Sequence, residues 1–161
     1  MALPDTLHTP RLVLSPLEVT HASEMAAVLS GAGLYEYTGG EPPTVDRLED
    51  QYRHQVAGSP RRGESWHNWI LRFNGVAIGF LQATVVGETA DLAWVVGVPW
   101  QRQGFASEAS LAVRDWLTER GVVRLTAHIH PEHLASISVA TRLGLRATDQ
   151  LDDDGERVWS S

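Results

Sequence analysis

The sequence predicts a mixed α+β domain, and three observations carry that prediction. Runs with apolar residues at helical spacing alternate with short runs rich in β-branched and aromatic residues. Asn74-Gly75 separates two of the β-rich runs by two residues, the spacing of a tight hairpin, and Gly87-Glu88 turns the chain into a third. The chain has 161 residues, 43% of them apolar, which suffices for one core and leaves little room for a second. Residues 1–161 therefore read as a single domain with the order β-α-α-β-β-β-α-β-α-β-β.

Each element has a local reason. Arg11-Leu12-Val13-Leu14-Ser15-Pro16 is a β-rich run stopped by proline. Thr20 is placed to cap a helix with Ala22, Met25, Ala26 and Leu29 on one face, ended by Gly31 and Gly33. After the Gly39-Gly40-Glu41-Pro42-Pro43 loop, Thr44 caps a second helix with Val45, Leu48, Tyr52 and Val56 in one stripe. Trp66 to Phe73, Val76 to Val85 and Ala90 to Val96 form an antiparallel meander. Ala109, Ala112, Val113, Trp116 and Leu117 mark a third helix, ending at Gly121. Val123 to His130 is a strand, and Leu134 to Leu143 a short helix closed by Gly144. Leu145 to Gln150 and Arg157 to Ser160 flank the Asp152-Asp153-Asp154-Gly155 turn as a last hairpin, with the acidic run at its solvated tip.

Composition removes several function classes. With no cysteine there is no disulfide framework, thiolate metal site or cysteine nucleophile. With no lysine there is no phosphate-loop lysine and no Schiff base. Thirteen arginines face 20 carboxylates, a formal charge of −7, which argues against nucleic acid or an anionic membrane as a partner. Met1 to Thr6 carries neither a basic region nor an apolar run, and no stretch has the length of a membrane span, so the expected location is cytoplasmic.

The informative stretch is Val95-Val96-Gly97-Val98-Pro99-Trp100-Gln101-Arg102-Gln103-Gly104-Phe105-Ala106-Ser107-Glu108-Ala109, a strand running through a loop into an amphipathic helix. The first N–H groups of a helix have no partner within it, and with the helix dipole they attract anions. Gly104 and Ala106 are small enough to let a phosphate reach the backbone. The residues read as a phosphate or pyrophosphate cradle, or as a strand–turn–helix junction with small residues for packing. The dinucleotide fingerprint does not fit, because the preceding strand follows a hairpin meander.

Gln101-Arg102-Gln103-Gly104-Phe105-Ala106 resembles the Gln/Arg-x-x-Gly-x-Gly/Ala signature of the GNAT superfamily of N-acetyltransferases. Three further segments resemble, in order, the branch related to ribosomal-protein N-terminal acetyltransferases. Thr9-Pro10-Arg11-Leu12-Val13-Leu14 is similar to its first strand, and Ala77-Ile78-Gly79-Phe80 to its third. His130-Pro131-Glu132-His133-Leu134-Ala135-Ser136 with Arg142-Leu143-Gly144-Leu145 is similar to its last helix and the turn after it. Phe105-Ala106-Ser107-Glu108-Ala109 extends the first match. The resemblance implies a mixed, mostly antiparallel seven-stranded sheet with helices on both faces and splayed fourth and fifth strands. It implies acetyl-CoA as cosubstrate and an amine acceptor, a protein N-terminus or a small cationic amine. By the same analogy the amides of Gln101, Arg102, Gln103, Gly104, Phe105, Ala106 and Ser107 hold the pyrophosphate, and Val96 and Val98 pair with the pantetheine arm. A strand N–H supports the oxyanion. The branch often forms a homodimer, but the sequence indicates no interface.

The chain departs from the family in two places. His133 stands where an Asn that touches CoA is usual. The Tyr that protonates the departing thiolate in many members falls at Ala140, which leaves Ser136 as the thiol's proton donor. The two substitutions also motivate a second reading, a non-catalytic CoA- or ligand-sensing module on the same fold. Without cysteine there is no acetyl-cysteine intermediate, so the amine attacks the thioester directly in a ternary complex. The attacking amine must lose a proton, and Asp91 matches the acidic position on the strand before the cradle. Its other reading is an exposed strand-end carboxylate. Glu88 is the weaker candidate because it sits in a turn.

His128, His130 and His133 have a ligand-like spacing, but no thiolate ligand is available, so no metal is expected and surface roles are favoured. His130 also fits the wall of an acceptor cleft. Trp66, Trp69, Trp94 and Trp116 read as core; Trp100 either stacks on CoA or covers the core edge. Tyr35, Glu36 and Tyr37 lie in the region that shapes acceptor pockets in this superfamily and read as solvent-facing. The acidic balance points to a cationic acceptor.

Overall fold

The computed structural model describes residues 4–161; Met1, Ala2 and Leu3, part of the N-terminal stretch considered above, lie outside the described residues. One eight-stranded sheet runs in the order β1-β2-β3-β4-β5-β6-β8-β7, with Leu7–His8, Leu12–Pro16, Glu64–Phe73, Val76–Val86, Thr89–Val96, Arg124–Ile129, Arg146–Leu151 and Arg157–Ser160 as β1 to β8. Four helices accompany it: α1 Ala22–Val28, α2 Val45–Ala57, α3 Phe105–Glu119 and α4 Leu134–Arg142. No described helix is long and apolar enough to cross a membrane.

The expected seven strands become eight because Leu7–His8 pairs antiparallel with β2. Two residues leave no period to read, and only the partner strand defines them. The Asn74-Gly75 turn has both residues at positive φ, 50° and 80°, the requirement of a type I′ hairpin. Thr44 caps α2, its hydroxyl accepting from Arg47 N at 3.2 Å. Thr20 does not cap α1. It lies inside a 3-10 turn, Val19–His21, and His21 Nδ1 instead accepts from Glu18 N at 3.0 Å. Helix α1 ends at Val28, before Gly31, and a second 3-10 turn, Ala32–Tyr35, follows.

Side chains alternate along β3, so Trp69 and Leu71 face one layer and Ile70 the other. The first layer is the main core, where Ile78, Leu81 and Leu92 meet Phe105, Val113 and Leu117 of α3 and Val139 of α4. The second holds Ile70 and Ala77 against Met25 of α1 and Leu48 and Tyr52 of α2. The helices thus cover both faces, as expected.

His67 is 1% exposed in the first layer, edge-on to Trp116 with ring centroids 5.3 Å apart. Its Nε2 meets Ser65 Oγ at 3.0 Å, and Nδ1 is buried with no partner among the described residues. Burial, helped by the charge of Arg120, holds its pKa below the ordinary value. The unfolded chain therefore binds the proton more tightly, and stability falls as pH drops below the unfolded value of about 6.5. We expect the melting temperature to fall from about pH 7.5 to about pH 5. His67→Phe should fall less over the same range, and equal pH slopes would remove His67 from this account.

Candidate active site

Strands β5 and β6 are parallel neighbours for only three rungs, Thr89↔Arg124, Ala90↔Leu125 and Asp91↔Thr126. Beyond Asp91 they diverge. These are the fourth and fifth strands of the sequence reading, renumbered by the extra β1. The N–H of Gly97 donates to Ile78 O at 2.7 Å, so antiparallel alternation directs the odd-numbered β5 backbone groups toward β4. The N–H and C=O groups of Leu92, Trp94 and Val96 then face the opening. Val96 O already accepts from the Gln101 side chain at 2.9 Å. Val98 does not extend this edge. It begins a 3-10 turn, Val98–Trp100, and its side chain packs under Gly31.

The loop from Gln101 to Gly104 is exposed and enters α3 through two left-handed residues, Arg102 at φ 63° and Gly104 at φ 81°. Gly104 is the N-cap and offers no side chain, so the N–H groups of Phe105, Ala106 and Ser107 have neither an intrahelical nor a side-chain partner among the described residues. These amides, at the positive end of a 15-residue helix, fit a pyrophosphate. Phe105 and Ser107 bury their side chains (2% and 7% exposed), so only their backbone is available.

A cation stands beside this loop that sequence reasoning missed. Glu108 Oε2 accepts from Thr9 Oγ1 at 2.5 Å and Arg11 N at 2.9 Å, and Oε1 from Arg11 Nε at 2.8 Å. The guanidinium lies 4.3 Å over the Phe105 ring, and its Nη2 borders Gly104. Burial would raise the Glu108 pKa, but the hydrogen bonds from Thr9 and Arg11 outweigh it and hold the carboxyl below its ordinary value. Thr9, Arg11 and Glu108 lie in two motifs about a hundred residues apart in sequence, and no local pattern joins them.

Asp91, Ala93 and Val95 share the α1/α2 face of β5. Asp91 Oδ1 accepts from Thr126 Oγ1 at 2.6 Å and lies 3.3 Å from His128 Nε2. His128 Nδ1 is 2.9 Å from Asp152 Oδ2. Burial raises the Asp91 pKa, an effect that Thr126 and His128 oppose and Asp152 supports. Asp152 therefore does more than decorate a hairpin tip, although its Oδ1 also closes that turn by accepting from Asp154 N and Glu156 N.

Two rungs from Asp91 along the sheet, Gln82 lines a cavity of about 380 Å³ between the sheet, α2 and the segment after α1. Leu29, Leu48, Ile70, Phe80 and Val95 make most of its wall. Asn68, Gln82 and Gln55 supply neutral polar groups, and Gln55 Oε1 is buried with no partner among the described residues. Glu41 is the one carboxylate among the lining residues, and it is exposed.

On the opposite face of the opening, Ser136 Oγ accepts from Trp94 Nε1 at 3.3 Å and lies 3.4 Å from His133 Nε2. His133 does not face solvent freely. Tyr37 stacks on it at 4.7 Å and 17°, and is tilted against His130 at 5.1 Å. Burial, then the charge of His130, lowers the His133 pKa, opposed by Glu36. Tyr37 and Tyr35, whose hydroxyl donates to Leu29 O at 2.8 Å, are thus held rather than solvent-facing. Trp69 and Trp116 are core as expected; Trp94 and Trp66 are only half-buried, and Trp100 packs on both apolar layers, covering the core edge. Ala140 is fully buried, so no tyrosine hydroxyl is offered there.

A split sheet beside an amide cradle at a helix start is what the GNAT resemblance requires, and residues 11–146 match the family model described as the acetyltransferase (GNAT) domain. The chain belongs to the GNAT acetyltransferase family. This GNAT domain is an N-acetyltransferase with acetyl-CoA as cosubstrate. Its fold is similar to a GNAT-family acetyltransferase from Bacillus anthracis, with TM-score 0.81, 17% identity and 98% of each chain covered. It is also similar to RimL, a ribosomal L7/L12 alpha-N-protein acetyltransferase in complex with coenzyme A, with TM-score 0.82 and 13% identity over 98% of this chain and 97% of that one. A third similar structure is aminoglycoside acetyltransferase AAC(6')-Ib in complex with coenzyme A, with TM-score 0.77 and 16% identity over 93% and 94%. No curated protein matches the GNAT domain by sequence at a significant level.

Proposed function

We propose that this enzyme acetylates a primary amine carried on a mainly apolar, uncharged body with amide hydrogen-bonding groups, the chemistry of a peptide N-terminus. The observation that carries this is the cavity on the Asp91 face. Its wall is mainly apolar, Asn68, Gln55 and Gln82 supply neutral amides to it, and its lone lining carboxylate, Glu41, is exposed. A polycation placed there would lose its hydration with no buried carboxylate to replace it. The net acidity of the chain is a property of its whole surface, and it favours approach of an ammonium group from solution.

The reaction is direct. Asp91, in its carboxylate form, takes a proton from the acceptor ammonium through water, and the freed amine attacks the thioester carbonyl. An N–H of the unpaired β5 edge supports the developing oxyanion; as the carbon–sulfur bond breaks, Ser136 gives its proton to the thiolate and regains one from the proton that the newly acylated nitrogen sheds. Tying Ser136 to Trp94 and His133 keeps its hydroxyl at the mouth of the split.

Release of CoA thiol measured against a panel of amines tests the acceptor class. Phenylalaninamide and short peptides with an apolar first residue should accelerate release, and spermidine or paromomycin should not; the reverse order would overturn the reading. Asp91→Asn should lower kcat about 100-fold with CoA affinity unchanged. Wild-type turnover across the pH range would remove Asp91 from the mechanism.

A further inference from the structure

We propose that His128, braced by Asp152, is a positioning residue that clamps one oxygen of the Asp91 carboxylate and leaves the other for the acceptor. The inference rests on the reading of Asp91 as the base. Three strands converge on the clamp. Thr126 and His128 are alternate residues of β6 on the face that Asp91 occupies on β5, and Asp152 follows β7 directly.

The protons can be assigned by chemistry. An ionised carboxylate only accepts, so the 2.9 Å contact with Asp152 Oδ2 places a proton on His128 Nδ1. The other ring nitrogen, Nε2, then faces Asp91 Oδ1 at 3.3 Å, where Thr126 already donates at 2.6 Å. A lone pair at Nε2 would repel that oxygen, so the pair holds one proton between them. In the reactive form the ring is an imidazolium donating to Oδ1. Two donors then fix Oδ1, while Oδ2 has no partner among the described residues and is free to meet the acceptor or its bridging water. The other groups around the clamp are consistent with this. The β4 partner at this rung is Thr84, which carries no charge. On the β7–β8 hairpin Asp154 and Glu156 flank Asp152, and His130 is the next residue on the His128 side of β6.

The test is a carboxyl-carbon NMR titration of Asp91 in the acceptor-free protein, for the wild type, His128→Gln and His128→Leu. Loss of the imidazolium should raise the Asp91 midpoint by about 1 pH unit in both variants. With phenylalaninamide as acceptor, His128→Leu should lower kcat about tenfold while the KM for acetyl-CoA stays within about twofold. His128→Gln, whose amide N–H reaches the same oxygen, should recover part of kcat but keep the acidic limb of the profile displaced upward. An unchanged midpoint and an unchanged limb in both variants would overturn the clamp. Asp91→Asn is run beside them. If it is impaired while the His128 variants match the wild type, only the clamp fails. If it turns over like the wild type, the base reading fails and takes the clamp with it.

Discussion

Gly104→Val is expected to weaken CoA binding at least about 100-fold, equivalent to about 2.7 kcal/mol. Gly104 sits at φ 81°, a region that a β-branched residue enters only under strain. A Cβ there would also come into contact, at 3.4 Å, with Nη2 of the Arg11 guanidinium that Glu108 holds over Phe105. The φ strain is relieved by rotating the loop, and rotation turns the amides of Phe105, Ala106 and Ser107 away from a common point. An anion gains most from donors that converge without reorganisation, so the loss should fall on cosubstrate binding rather than on folding. Isothermal titration with CoA, beside a thermal melt, reads the two separately. Unchanged affinity in a folded variant would place the pyrophosphate elsewhere.

The largest effect on stability is expected at Gly79. A methyl group on this residue would overlap the Val95 carbonyl oxygen and approach Val96 Cα to 3.0 Å. Both obstacles are backbone and cannot rotate aside. The rung Gly79↔Val96 would have to open, along with the neighbouring 2.7 Å bond from Gly97 N to Ile78 O. Gly79→Ala should cost about 3 kcal/mol and lower the melting temperature by about 10 °C. The same rung aims the Val96 N–H into the split, so acetyl-CoA affinity should fall even below the melting transition. A variant as stable as the wild type would show that β4 and β5 can part at this point without cost.

Both glycines lie inside motifs that were visible in the sequence. The Gln101 to Ala106 segment announces itself because an amide cradle needs small residues, a turn and a helix start in immediate succession, and all three are local. The hairpin at Asn74-Gly75 and the cap at Thr44 are legible for the same reason. Thr20 was misleading, since a hydroxyl before an apolar run is also compatible with a 3-10 turn, and tertiary packing chose the turn. Asp91 was placed by its position relative to the cradle, but its partners were not.

The sequence by itself determined the order of the elements, the cradle and the exclusion of a covalent cysteine route, because each follows from residues adjacent in the chain or from composition. The tertiary structure decided what those residues face. It brought Thr9 and Arg11 to Glu108, His128 and Asp152 to Asp91, and Tyr37 to His133, pairs separated by between 96 and 99 positions in the first and last cases. It also decided the character of the cavity proposed for the acceptor, whose wall draws on the segment after α1, on α2 and on three strands. Periodicity reports which face of an element is buried. It carries no information about which distant side chain will meet that face, because that depends on strand register and helix docking, which only the closed core sets.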